Sequence, residues 1–210
     1  MKKFELTTEF ITSMFGKKIF RIKALIEFGN VKAGELGGYV EKEENVSQNG
    51  NAWVSGDAVV SGNARVYGNA RVSGNAWVSG NAVVSGDAWV SGDARVYGNA
   101  RVYGDARVSG NAWVSGNARV SGNAWVSGNA RVSGDADYAL VRGFGTEFRC
   151  TTFYRDKNKK IMVNCGCFHG NLEQFREQVK KTRTGKIAKE YLTIADLMEY
   201  HFASEDSSDE

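Results

Sequence analysis

The chain has 210 residues, with 27 basic and 24 acidic side chains and a formal net charge of +3. So mild a balance sets no demand for nucleic acid, and it is too positive for an acidic mimic of DNA. Proline is absent and glycine occurs 25 times, which suits a ladder of strands turning sharp corners: proline removes a ladder donor, while glycine accepts left-handed backbone angles.

The N-terminus starts Met-Lys-Lys but continues through Glu5 and Glu9 without an apolar core, so no signal peptide is expected. No stretch approaches membrane-spanning length, and no membrane partner is expected. Phe4 to Phe10 and Lys18 to Ile26 read as a hairpin around Gly16. Gly34-Glu-Leu-Gly-Gly-Tyr-Val40 then leads into a degenerate coil, in which Val46 holds the small-residue phase and Gln48 replaces valine. Residues 1–49 are expected to form an N-terminal β cap, since a bare solenoid end exposes unpaired strand edges.

From Gly50 to Ser133 the sequence repeats Gly-(Asn/Asp)-Ala-x-Val-(Ser/Tyr) through 14 consecutive hexads. Ala and Val stand two apart, so both point to one side of a strand and the residue between them points to the other. An interior made only of Ala and Val cannot close within one strand pair. It must be completed by stacking equivalent hexads, which predicts an all-β solenoid over residues 50–139.

Val60-Ser-Gly-Asn-Ala-Arg65 and its copies resemble the hexapeptide repeat of left-handed parallel β-helices. That resemblance implies a triangular prism in which three hexads make one coil; a right-handed helix is the alternative, because ordinary crossovers favour that hand. Residues 18 apart then stack about 4.8 Å from one another, and the rod is about 22 Å long. Down the first face the outward column reads Trp53, Arg71, Trp89, Arg107, Trp125. The second reads Val59, Trp77, Arg95, Trp113, Arg131, and the third Arg65, Val83, Arg101, Arg119, Asp137. A parallel outward column is mostly Ser, interrupted by Tyr67, Tyr97 and Tyr103.

Two readings of these columns follow. Alternating indole and guanidinium stabilises the stack itself, at about 0.5–2 kcal/mol per pair. The same residue types also form binding hot spots and stack bases while pairing phosphates. Asn63, Asn81, Asn99 and Asn117 read as corner hydrogen bonding.

Beyond Tyr138 the register is lost, and residues 140–203 are expected as a C-terminal α+β cap. Glu147 to Tyr154 and Lys160 to Phe168 read as strands around the turn Arg155 to Lys159. Asn171 is a helix N-cap with Gln174 in the capping-box position, for a helix running to about Lys181. Ile187, Tyr191, Ile194, Leu197 and Met198 mark a second amphipathic helix ending near Phe202, and 204–210 reads as a disordered acidic tail. Phe20-Arg-Ile-Lys-Ala-Leu25, Leu36-Gly-Gly-Tyr-Val40 and Cys165-Gly-Cys-Phe-His-Gly-Asn-Leu-Glu-Gln-Phe175 resemble segments flanking the repeats of phage and prophage proteins. This resemblance implies a bacterial cytoplasm during infection or lysogeny, with the virion as the alternative location.

The cysteines, Cys150, Cys165 and Cys167, are odd in number and clustered, unlike a disulfide framework. Cys165, Cys167 and His169 alternate on one strand, with Cys150 on a plausible partner strand, making a Cys₃His set, but zinc sites favour wider spacing at a turn, so the cysteines read as buried hydrophobes and no cofactor is expected. Hexapeptide-repeat acyltransferases use a catalytic histidine on the coils, whereas His169 and His201 lie outside the repeats. The expectation is therefore a non-enzymatic phage-type scaffold presenting Trp, Arg and Tyr columns to a host or phage protein, as a homo-oligomer such as a trimer. A binder of phosphate-bearing nucleotides or nucleic acid is the first alternative, and an atypical acyltransferase the second.

Overall fold

A computed structural model describes residues 1–203; the acidic segment expected at 204–210 lies outside the described residues. Three strands, β1 (Phe4–Thr12), β2 (Lys18–Ala24) and β3 (Leu36–Val40), precede fourteen two-residue strands, from β4 (Trp53–Val54) to β17 (Arg131–Val132). These fourteen stack in parallel, each but the last three pairing with the strand three further on, so the repeats form a parallel β-solenoid with three hexads per coil. Residues 18 apart are direct partners, as in Trp53 with Arg71, Val59 with Trp77 and Arg65 with Val83.

The interior holds the Ala and Val columns, from Ala52 and Val54 to Ala130 and Val132, at 0–1% exposure. Each corner is turned by the repeat glycine, whose φ lies between +57° and +73° from Gly50 to Gly128. That conformation costs any residue with a Cβ about 1 kcal/mol or more. At Gly86 space is also lacking, because a Cβ would stand 2.9 Å from the backbone nitrogen of Gly104.

The N-terminal strands extend one face of the solenoid, with β1 antiparallel to β2, β2 antiparallel to β3, and β3 parallel to the strand Val59–Val60. Gly37 and Gly38 permit this contact, since Cβ atoms there would fall 2.6 Å from the carbonyls of Val54 and Ala58 respectively. Val46 does not hold the small-residue phase expected for it. The chain from Tyr39 onward runs two residues out of step with the hexads, Tyr39 pairing with Val59 and Val46 bridging Val66 rather than Ala64, and it regains the 18-residue register by Asn51. Gln48 leaves the core pattern because its side chain pairs with Phe4, accepting from the backbone N–H and donating to the carbonyl.

At the other end the register is lost slightly earlier than expected. Asp137 belongs to a 3₁₀ turn (Asp135–Asp137) whose carboxylate accepts from Ser133 and Gly134, so it is not the next rung of the third face. An antiparallel sheet follows: β18 (Tyr138–Phe144), β19 (Arg149–Arg155), β20 (Ile161–Cys165) and β21 (Phe168–Asn171). The first of these strands was not anticipated, and the expected strand Lys160 to Phe168 is broken by a turn at Gly166, where φ is +60°.

Helix α1 (Leu172–Thr182) starts at an Asn171 cap, with Asn171 and Gln174 exchanging side-chain and backbone bonds at 2.8 and 2.9 Å. Helix α2 (Gly185–Phe202) packs with α1 on one face of the sheet around Phe153, Phe175 and Met198. On the opposite side the sheet meets the solenoid, where Tyr154 is fully buried at the base of the Ala/Val core.

Candidate interaction surface

Both ends of the ladder are closed by side chains. At the N-terminal end the outward carbonyls of the first coil are met by Lys3, whose amine donates to Gly50 and Ala52, and by Asn45, whose amide donates to Gly62 and Ala64. Backbone donors of Tyr39 and Glu41 cover the remaining face. At the C-terminal end Thr152 accepts from the N–H of Trp125, Asp135 from Arg119, and Asp137 from Ser133. Asn164 donates to the carbonyl of Trp125 at 2.7 Å, which fixes its Oδ1 as the acceptor for Nδ1–H of His169. What remains for interaction is the side of the rod and the outer surfaces of the caps.

The first face carries Trp53, Arg71, Trp89, Arg107 and Trp125 in that vertical order. Trp53 is not available at the surface: Phe4 and Phe28 pack edge-on against it, and it is 4% exposed. Trp89 and Trp125 are exposed and donate their indole N–H to Ser73 and Ser109 of the preceding coil. Thus the serine column serves the tryptophan column. Arg107 stands over the Trp89 ring at 6.0 Å.

On the second face Trp77, Arg95, Trp113 and Arg131 stack in register. Trp113 lies between two guanidinium groups, at 5.2 Å from Arg95 and 4.2 Å from Arg131, with Tyr97 edge-on at 6.3 Å. Arg131 is further tied by three backbone carbonyls, of Asn111, Asn129 and Ala130. That face is therefore committed to its own stack.

The third face has a different composition. Arg65, Val83, Arg101 and Arg119 are partners in that order, with Tyr67 and Tyr103 exposed beside them. Val83 and Ser85 form the floor of a groove of about 380 Å³ between the Arg65/Tyr67 and Arg101/Tyr103 rungs. Among the described residues every salt bridge lies outside the repeats, so no carboxylate neutralises these arginines.

The corners hold amide ladders. Asn63 donates a side-chain N–H to Asn81, Asn81 to Asn99 and Asn99 to Asn117, at 3.1–3.2 Å. Elsewhere aspartates accept from Asn69 and Asn75 and cannot pass the bond on.

The Cys₃His set does not assemble. Cys165 faces the helices and accepts from the Thr151 hydroxyl at 3.1 Å, Cys167 sits exposed in the turn after Gly166, and His169 points to the solenoid through Asn164. The turn breaks the alternation that would have aligned them. Among the described residues no group of three or more His, Cys, Asp or Glu is placed to hold a metal. Burial raises the Cys150 thiol above its ordinary pKa, which disfavours the thiolate needed for ligation or attack. His201 lies on α2 against Phe202.

Among the described residues no helix is long and apolar enough to cross a membrane. Residues 52–143 match the sequence model of a family described as bactofilin, polymer-forming cytoskeletal. A comparison with curated proteins finds no match.

Proposed function

We propose that the chain is a non-catalytic, self-associating scaffold of the cytoskeletal kind, built on a β-solenoid rod. The observation that carries this reading is the coincidence of the polymer-forming family match, residues 52–143, with the rod itself. The chemistry of the rod supports it: the inward residues are Ala and Val alone, and the second face spends its indoles and guanidinium groups on internal stacking. The resemblance of the flanking segments to phage repeat proteins supports a phage-type setting for such a scaffold.

Because Lys3, Asn45, Thr152 and Asp135 close the ladder ends, copies join through the caps and not by continuing the core. The N-terminal cap offers an apolar tip, Met14 and Phe15, exposed at 86% and 84%. At the opposite end an apolar hollow of about 410 Å³ lies between Phe144, Ile194 and Leu197. Tip into hollow is a head-to-tail contact between unlike surfaces, which propagates into an open chain unless its rotation closes a ring such as a trimer.

Sedimentation and negative-stain imaging over a range of concentrations test the reading. Assemblies that grow with concentration, and that are lost in both Phe15→Ser and Leu197→Ser with unchanged circular dichroism, are the expected result. A monomer at every concentration overturns self-association. Assemblies untouched by either substitution overturn this placement of the contact.

A further inference from the structure

We propose that the groove on the third face is a binding site for a single nucleotide, holding a planar base between Tyr67 and Tyr103 and its phosphates on Arg101 and Arg119. This inference is independent of self-association. The two flanking rungs are identical hexads, Asn-Ala-Arg-Val-Tyr-Gly at 63–68 and 99–104, and the one between them is reduced to Val83 and Ser85. The tyrosines therefore stand two coil spacings apart, about 9.6 Å, which leaves room for one planar ring between them. Base stacking on aromatic side chains contributes to affinity without regard to sequence.

Charge points to the same ligand. Arg101 and Arg119 are direct strand partners with no indole between them, unlike the arginines of the other two faces. Two exposed arginines on adjacent strands, about 4.8 Å apart at the backbone, repel one another unless an anion bridges them. Among the described residues neither guanidinium is ion-paired with a carboxylate. Guanidinium forks suit phosphate oxygens, and the groove volume of about 380 Å³ lies in the range of small-ligand sites.

The extent of the stripe selects a short ligand over a polymer. Beyond Arg65 and Tyr67 the adjoining hollow is lined by Glu43 and Glu44, and beyond Arg119 lies Asp135, which accepts its backbone N–H at 2.8 Å. A strand of nucleic acid running along the rod would meet carboxylates at both ends, whereas a nucleotide fits between them.

The test is titration of the purified full-length chain with a fluorescent N-methylanthraniloyl ATP, with adenosine, inorganic tripolyphosphate and an oligo-dT 20-mer as competitors. Saturable binding is expected, with ATP displacing the probe better than tripolyphosphate or adenosine alone. Arg101→Ala, Tyr103→Ala and the groove-filling Ser85→Tyr are each expected to weaken it at least tenfold, while Arg107→Ala on the first face leaves it unchanged. Urea midpoints measured on each variant separate loss of the site from loss of the fold. Absence of saturable binding overturns the proposal. So does equal competition by tripolyphosphate and ATP, tighter binding of the 20-mer than of ATP, or equal weakening by Arg107→Ala.

Discussion

The side-chain nitrogen of Lys3 lies 2.8 Å from the carbonyl oxygen of Ala52, beneath the N-terminal hairpin and 4.7 Å from the Phe28 ring. Burial lowers its pKa from 10.5 to about 8. Below pH 8 both the folded and unfolded chains carry the charge, and folding bears the full cost of desolvating it. Between about 8 and 10.5 the unfolded chain binds more protons, so stability rises with pH in that window. The expected outcome is a melting temperature that climbs from pH 7.5 to 10 relative to Lys3→Met, which loses the two carbonyl bonds but also the titration. Parallel pH profiles for the two proteins would refute it.

Asp137 acts in the opposite sense at the other end. Burial pushes its carboxyl pKa up, but bonds from the Ser133 hydroxyl and the Ser133 and Gly134 N–H groups outweigh that and leave it lowered. The stability it contributes is present above the ordinary carboxylate range and is lost as pH falls below about 4. Asp137→Asn is expected to lower stability at pH 7 and to flatten the acid limb of the wild-type melting curve. An unaltered acid limb would show that the 3₁₀ turn holds without this carboxylate.

The asparagine ladder predicts a ranking. Asn81→Ala removes one bond received and one given, at a combined cost of about 1–2 kcal/mol. Asn81→Asp keeps the bond received from Asn63, as Asp87 does from Asn69, and loses only the one given. Urea denaturation is expected to place wild type above Asp and Asp above Ala, while reversal of the last two would show that charge outweighs the bond.

Two glycines at the same repeat phase separate corner geometry from composition. At Gly86 φ is +68° and an added Cβ meets the Gly104 backbone, so Gly86→Ala is expected to cost about 2 kcal/mol or more. Gly134 has φ −145° and open space around it, so Gly134→Ala should stay within about 0.5 kcal/mol of wild type. Equal destabilisation in a thermal melt would contradict the assignment of the strain to the left-handed corner.

The rod was legible because its signal is repeated: Ala and Val two apart fix the inward side, and the six-residue period fixes which residues become vertical neighbours, down to Arg95 beside Trp113. The caps were less legible, because each solves its problem once. Nothing in the sequence marks Asn45 as a substitute strand donor or shifts Val46 by two positions, and the Cys165–His169 alternation gives no warning that Gly166 turns the chain. The groove escaped notice for a related reason. Val83 and Ser85 look like substitutions of no consequence in their own hexad, and only the tyrosines one coil away on either side make them a floor.

The coil period also makes the molecule a ruler with graduated marks. Excising six residues would swing the C-terminal sheet by a third of a turn relative to the N-terminal cap, while Thr152 and Asn164 stay on Trp125, which turns with them. Excising eighteen, such as 75–92, keeps the two caps in line but deletes Trp89 and sets Arg71 against Arg107. Only thirty-six preserve both the alignment of the caps and the alternation of ring and cation. Viable lengths of this rod are thus spaced by about 9.6 Å, two coils at a time.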